Sequence, residues 1–135
     1  MDPRHNDTDP GLNALLITVD GGTKPVTLPT GRDARLAIAR HLGGPSWLGQ
    51  CTPTCSPDSH LVTVGLLEIP PAGTPRNDYA TAVVEVMRHA PLEAPIFGPA
   101  LIMGRAEHDD VPTSLEPGQK QAIEDFVATW YNLLT

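Results

Sequence analysis

The sequence predicts an α+β domain: a mostly antiparallel sheet of about five strands with three helices, in the order β-β-α-β-β-α-β-α. Three observations predict it. Short aliphatic runs of strand length recur along the chain. Turns rich in Gly and Pro pair them into hairpins, which makes neighbouring strands antiparallel. Three further stretches carry apolar residues at helical spacing, and they are expected to cover one face of the sheet.

Each element has its own local reason. Residues 1–10 are polar, with two prolines and three aspartates. They bury too little apolar surface to offset their ordering entropy and read as a disordered acidic tail, leaving 11–135 as one α+β domain. Leu12–Asp20 alternates Leu15, Ile17 and Val19 with Ala14, Leu16 and Thr18, a strand expected to be buried on both sides at Leu16. Gly21-Gly22 turns it into Lys24–Leu28, where Pro25 confines the second strand to a sheet edge. Thr30 offers a cap and Asp33 a first-turn negative charge to a helix over 31–42, whose Ala34, Ile38 and Leu42 share a face. Gly43-Gly44-Pro45 stops it.

Residues 46–51 (SWLGQC) read as a short strand, 52–59 as a turn-rich loop, and His60–Ile69 as the next aliphatic run. A hairpin of 46–51 with 61–66 follows, and Gly65 is expected to mark a bulge. After the stiff segment Pro70–Pro75, Asn77 caps a helix that runs through Arg88, with Tyr79, Ala80, Val83, Val84 and Met87 on one stripe. Pro91 and Pro95 end it. In Phe97–Gly104, Pro99 argues for a strand that starts at Ala100. The last helix opens with Pro117 at its first position, where the missing N–H removes no bond. Its stripe of Ile123, Phe126, Val127, Trp130 and Leu134 is the strongest amphipathic signal in the chain.

Charge and apolar content narrow the partners. Sixteen acids against nine bases give a net charge of −7, and 107–135 alone contributes −5 of it. Such a surface repels phosphate and argues against duplex nucleic acid. Arg32, Arg35 and Arg40 could form a small basic patch, but a solvated helix face is the ordinary reading of that spacing. No apolar run approaches the roughly 18 residues of a membrane helix. The polar, acidic start lacks the basic-then-apolar pattern of a secretory signal, so the expected location is cytoplasmic.

Residues able to carry chemistry are few. Cys51, Cys55 and His60 form a C-x3-C-x4-H array, the only metal-like cluster. A fourth zinc ligand would have to come from His41, His89 or Asp58. Two free thiols and a disulfide are the competing readings of the same cysteines. Glu107, Asp109 and Asp110 could meet a hard cation, although three acids in a loop are ordinarily solvated. The histidines (His5, His41, His60, His89, His108) are scattered, and neither Gly pair has phosphate-loop spacing. Trp130 falls on the apolar stripe, with Tyr131 beside it half exposed. Trp47 is a candidate contact residue, against the plainer reading of a lid over the core.

Three segments carry a family resemblance. They are His41–Gly44, Gly73–Ala80 (GTPRNDYA), and Ala94–Gly104 (APIFGPALIMG) followed by Ser114–Gln119 (SLEPGQ). Together they resemble a domain-of-unknown-function family found in actinobacteria, their phages and mobile elements. The likeness spans about 12–135, and Gly and Pro do most of the matching. The Cys51–Ser59 stretch departs from the pattern. The resemblance implies a fold and a mobile-element setting, and supplies no activity and no catalytic residues.

No constellation meets the geometric demands of a catalytic site, and no cofactor is called for. The leading expectation is a non-enzymatic binding or accessory protein of phage, plasmid or actinobacterial setting that engages a host protein or a small ligand. Its acidic C-terminal face would dock on a basic surface. The alternatives are a zinc-binding regulatory module built on Cys51, Cys55 and His60, and a small enzyme holding an anionic substrate with Arg76, Arg88 or Arg105. A DNA mimic is a fourth, weaker reading, because −7 is modest for that role.

Overall fold

A computed structural model describes residues 11–30, 33–51, 62–88, 90–104 and 112–134. The elements follow the expected order: β1 (Leu12–Ile17), β2 (Thr23–Leu28), α1 (Asp33–Leu42), β3 (Ser46–Cys51), β4 (Val62–Leu67), α2 (Asp78–Arg88), β5 (Ala100–Gly104) and α3 (Pro117–Leu134). The strands form one sheet, β2-β1-β5-β4-β3, and every pair is antiparallel. Pro25 sits on the edge strand β2, where a missing donor is tolerated. The acidic tail 1–10 lies outside the described residues, as do residues 31 and 32, on which the Thr30 cap depends.

Local chemistry sets the element ends. β1 stops at Ile17, short of the expected Asp20, because Thr18 already belongs to the turn. Its N–H donates to the Gly22 carbonyl at 2.9 Å, and the Gly21 N–H donates back to Thr18 at 3.2 Å. α1 ends in a left-handed cap. Gly43 has φ +95°, and the Gly43 and Gly44 amides both donate to the Ala39 carbonyl, at 2.8 and 3.0 Å. β5 starts at Ala100, clear of Pro99, and α3 starts at Pro117. At the start of α3 the Glu116 N–H donates to the Gln119 side chain at 3.3 Å, the return half of a capping box.

Three further expectations are corrected. The helices do not share a face. α2 and α3 pack Val83, Val84, Ile123 and Val127 onto Leu15, Ile17, Val64 and Ile102, while α1 packs Ile38 and Leu42 onto Leu12, Ala14, Leu101 and Met103 on the other side. The reason is written in the central strands. β1, β4 and β5 carry buried, mostly apolar residues at both parities, so each face of the sheet must be covered. Leu16 is itself only half-buried, at the margin of the α1 side.

Gly65 marks no bulge. It pairs with Leu48 and Leu101 in unbroken ladders on both sides. Its role is close approach: a Cβ there would stand 3.2 Å from Leu48, and 3.4 Å from both Ile38 and Met103. The missing side chain lets α1 lie down on the sheet.

A candidate binding trough on the outer face of α2

α2 is anchored from its first turn. The Asn77 side chain accepts from the Ala80 N–H at 2.9 Å, as the sequence anticipates for a cap. The same side chain donates to the Ile17 and Gly98 carbonyls at 3.1 and 2.9 Å. The segment after α2 then returns along it. The Ile96 N–H donates to the Thr81 hydroxyl and the Leu92 N–H to Glu85 Oε2, each at 2.9 Å. On the other flank α3 runs antiparallel to α2. Tyr131 near its end meets Tyr79 with ring centroids 6.2 Å apart, and Gln119 near its start shares a pocket with Met87.

This arrangement leaves an open trough of about 530 Å³ on the solvent side of α2. Ala82 and Val86 form its floor, Trp130 and Pro91 its apolar walls, and Asp78 and Glu85 its polar rim. Val86 is exposed, and Trp130 is half-buried with its ring edge-on to Phe126. Val86 also borders a second, smaller cleft of about 230 Å³ between the helices, lined by Val62, Val83, Met87, Ala122, Ile123 and Phe126. Among the described residues the trough lining contains two carboxylates and no basic side chain. Arg76 pairs with Asp78 at 2.7 Å from outside the lining, and both are largely exposed. Among the described residues the interhelical cleft contains no charged group.

The residues singled out from sequence fall in separate places. Cys51 ends β3, and Cys55, Asp58, His60 and His89 lie outside the described residues, as do the Glu107–Asp110 acids and Arg105. Among the described residues no group of three His, Cys, Asp or Glu side chains could hold a metal. Arg76 precedes α2 and Arg88 ends it, so the helix itself, about 15 Å long at 1.5 Å per residue, lies between them, and neither lines the trough. Arg35 and Arg40 are exposed on α1. Tyr131 is 44% exposed, close to expectation. Trp47 stands in edge strand β3 and is 55% exposed, so it is no lid over the core.

Elsewhere, at the β1–β2 turn, the Thr18 hydroxyl donates to Asp20. The Gly22 N–H adds a second bond at 3.2 Å. These bonds hold the Asp20 carboxyl below its ordinary range, the hydroxyl contributing most.

Sequence reasoning missed Val86 and Glu85. The signal was available: α2 carries Ala82 and Val86 in addition to its buried stripe, so it is apolar on its outer side as well. No family model, curated protein or solved structure matches the chain. Among the described residues no helix is long and apolar enough to cross a membrane.

Proposed function

We propose that the protein is a non-catalytic binding module that holds a basic segment of a protein partner in the α2 trough. The observation that carries this reading is the pairing of an exposed apolar floor, Val86 beside Trp130, with a rim whose charges, among the described residues of the lining, are the carboxylates of Asp78 and Glu85. An apolar anchor from the partner would displace water from Val86 and reach toward the interhelical cleft. Arg or Lys side chains beside the anchor would meet Asp78 and Glu85. The interhelical cleft, at about 230 Å³, lies below the roughly 300–1,000 Å³ of typical ligand pockets and suits one anchoring side chain, and the trough, at about 530 Å³, is open to solvent rather than enclosing. The net charge of −7 favours approach of a basic partner from a distance. A mobile-element setting, suggested by the sequence resemblance, is compatible with an accessory protein of this kind.

The test is a panel of short amphipathic peptides with one Leu or Phe anchor flanked by Arg, titrated into the labelled protein and followed by NMR. A matching panel carries Glu in place of Arg. The Arg panel should shift the amides of Ala82, Glu85, Val86 and Trp130, and Val86→Glu should weaken binding at least tenfold. Equal binding of both panels, or shifts confined to another surface, defeats the reading.

A further inference from the structure

The two edges of the sheet differ in a way that follows from ladder parity. The Glu68 N–H donates to the Pro45 carbonyl at 2.9 Å, which continues the β3–β4 register by one step. In an antiparallel ladder, bonded pairs alternate with unbonded ones. Trp47, Gly49 and Cys51 therefore turn their backbone groups toward β4, and Ser46, Leu48 and Gln50 turn theirs outward. At the opposite edge the Thr18 N–H bonds to Gly22 in the β1–β2 register, so Thr23, Pro25 and Thr27 point outward on β2. The middle outward residue of β2 is a proline with no N–H, and Lys24 beside it adds a charge. Both are ordinary devices for blunting an edge. β3 has neither: Ser46–Cys51 contains no proline, no charge and no break in register. No described strand pairs with its outer side.

We infer that β3 is the interface between two copies of this chain, pairing antiparallel with β3 of the second copy about a twofold axis at Leu48. The edge is complementary to itself. Under that axis Leu48 exchanges both backbone bonds with Leu48 of the second copy, and Ser46 does the same with Gln50 of the second copy. Each Trp47 then stands opposite Gly49 of the second copy in an unbonded pair. There the strands approach most closely and a second large side chain would crowd. Within one chain the indole already lies over Gly49, at the place a Cβ would occupy. The two indoles are thereby brought side by side across the axis, where each covers apolar surface that the single chain leaves 55% exposed. The uncharged strand lets two acidic molecules meet without opposing like charges along the seam. The pairing makes one sheet continuous across both copies.

Sedimentation of the full chain over a range of concentrations tests this, with Gln50→Pro, Trp47→Asp and Thr27→Pro beside the wild type. Gln50→Pro deletes an outward donor that β4 does not use, and Thr27→Pro does the same on the blunted edge. The wild type should sediment as a dimer on the order of 100 μM. Gln50→Pro and Trp47→Asp should each weaken association at least tenfold, and Thr27→Pro should leave it unchanged. Amide exchange on the wild type covers the case of a variant that fails to fold. The Ser46, Leu48 and Gln50 amides should exchange slowly in concentrated solution and fast on dilution, with Thr23 and Thr27 fast throughout. A wild-type monomer at 100 μM, a dimer indifferent to Gln50→Pro, or outward β3 amides that exchange fast at every concentration overturns the inference.

Discussion

Asn77 ties three segments together with one side chain. It is fully buried, caps α2, and donates to a carbonyl at the end of β1 and another just before β5. Its own N–H donates to Ile96 at 2.7 Å. Removing the side chain forfeits a cap and strips buried groups of partners, so Asn77→Ala should cost about 2–4 kcal/mol in denaturant unfolding. Asn77→Asp separates the two roles. A carboxylate keeps the cap acceptor but turns an oxygen toward two carbonyls that need a donor. Burial and those oxygens raise its pKa in the folded state, so the folded variant holds its proton more tightly than the unfolded chain does. Its stability relative to wild type should therefore be best at acid pH and fall as pH rises above about 4, through the interval between the two pKa values. A pH-independent deficit for Asn77→Asp would show that the donor role is immaterial. The cap was readable from sequence, since Asn before a helical stripe is a local signal. The bonds to Ile17 and Gly98 were not, because they join residues 60 and 21 positions away.

Among the elements, strand and helix identities were legible wherever the period was clear. β3 matches its expected bounds, and β5 and α3 start where proline chemistry places them. What the pattern could not say is which face each helix covers, because central strands apolar at both parities fit either arrangement. Gly65 shows the cost of reading an element alone. A glycine inside a strand suggests a bulge, but here the cause is α1 on the far side of the sheet, a contact between elements. Gly65→Ala should destabilise by about 1–2 kcal/mol, because Leu48 at 3.2 Å must give by a few tenths of an ångström while Ile38 and Met103 at 3.4 Å leave it no spare room. Gly65→Val should cost more and lift α1 from the sheet. Urea unfolding gives the stability. Loss of protection at the α1 amides, with α2 and α3 unaffected, would locate the strain. A neutral Gly65→Val would mean that α1 packs more loosely than these distances require.

For the molecule as a whole, the decisive feature is that β5 arrives late in the chain and enters the middle of the sheet. The β1–β2 and β3–β4 hairpins are each local, and they meet only through β5. Every residue of β5 is buried, and Ile102 stands between Leu15 of β1 and Val64 of β4 in the two ladders. The same lateness explains why the trough escaped the sequence reading. Pro91 follows α2 closely, but the wall Trp130 comes from α3, beyond β5 in the chain. If β5 is the joint, then weakening it should lower the stability of both halves together. Ile102→Ala should cost about 2–5 kcal/mol, a large-to-small change at a fully buried site. The two tryptophans report on opposite parts: Trp47 on the β3–β4 hairpin and Trp130 on α3. In dilute solution, Trp130→Phe leaves the first as the probe and Trp47→Phe the second. The unfolding midpoints of the two probes should coincide in the parent and shift by the same amount in Ile102→Ala. A split, with Trp47 released before Trp130, would mean that the β3–β4 hairpin detaches from β5 as its own unit and that the sheet is held together instead by the helices on its two faces.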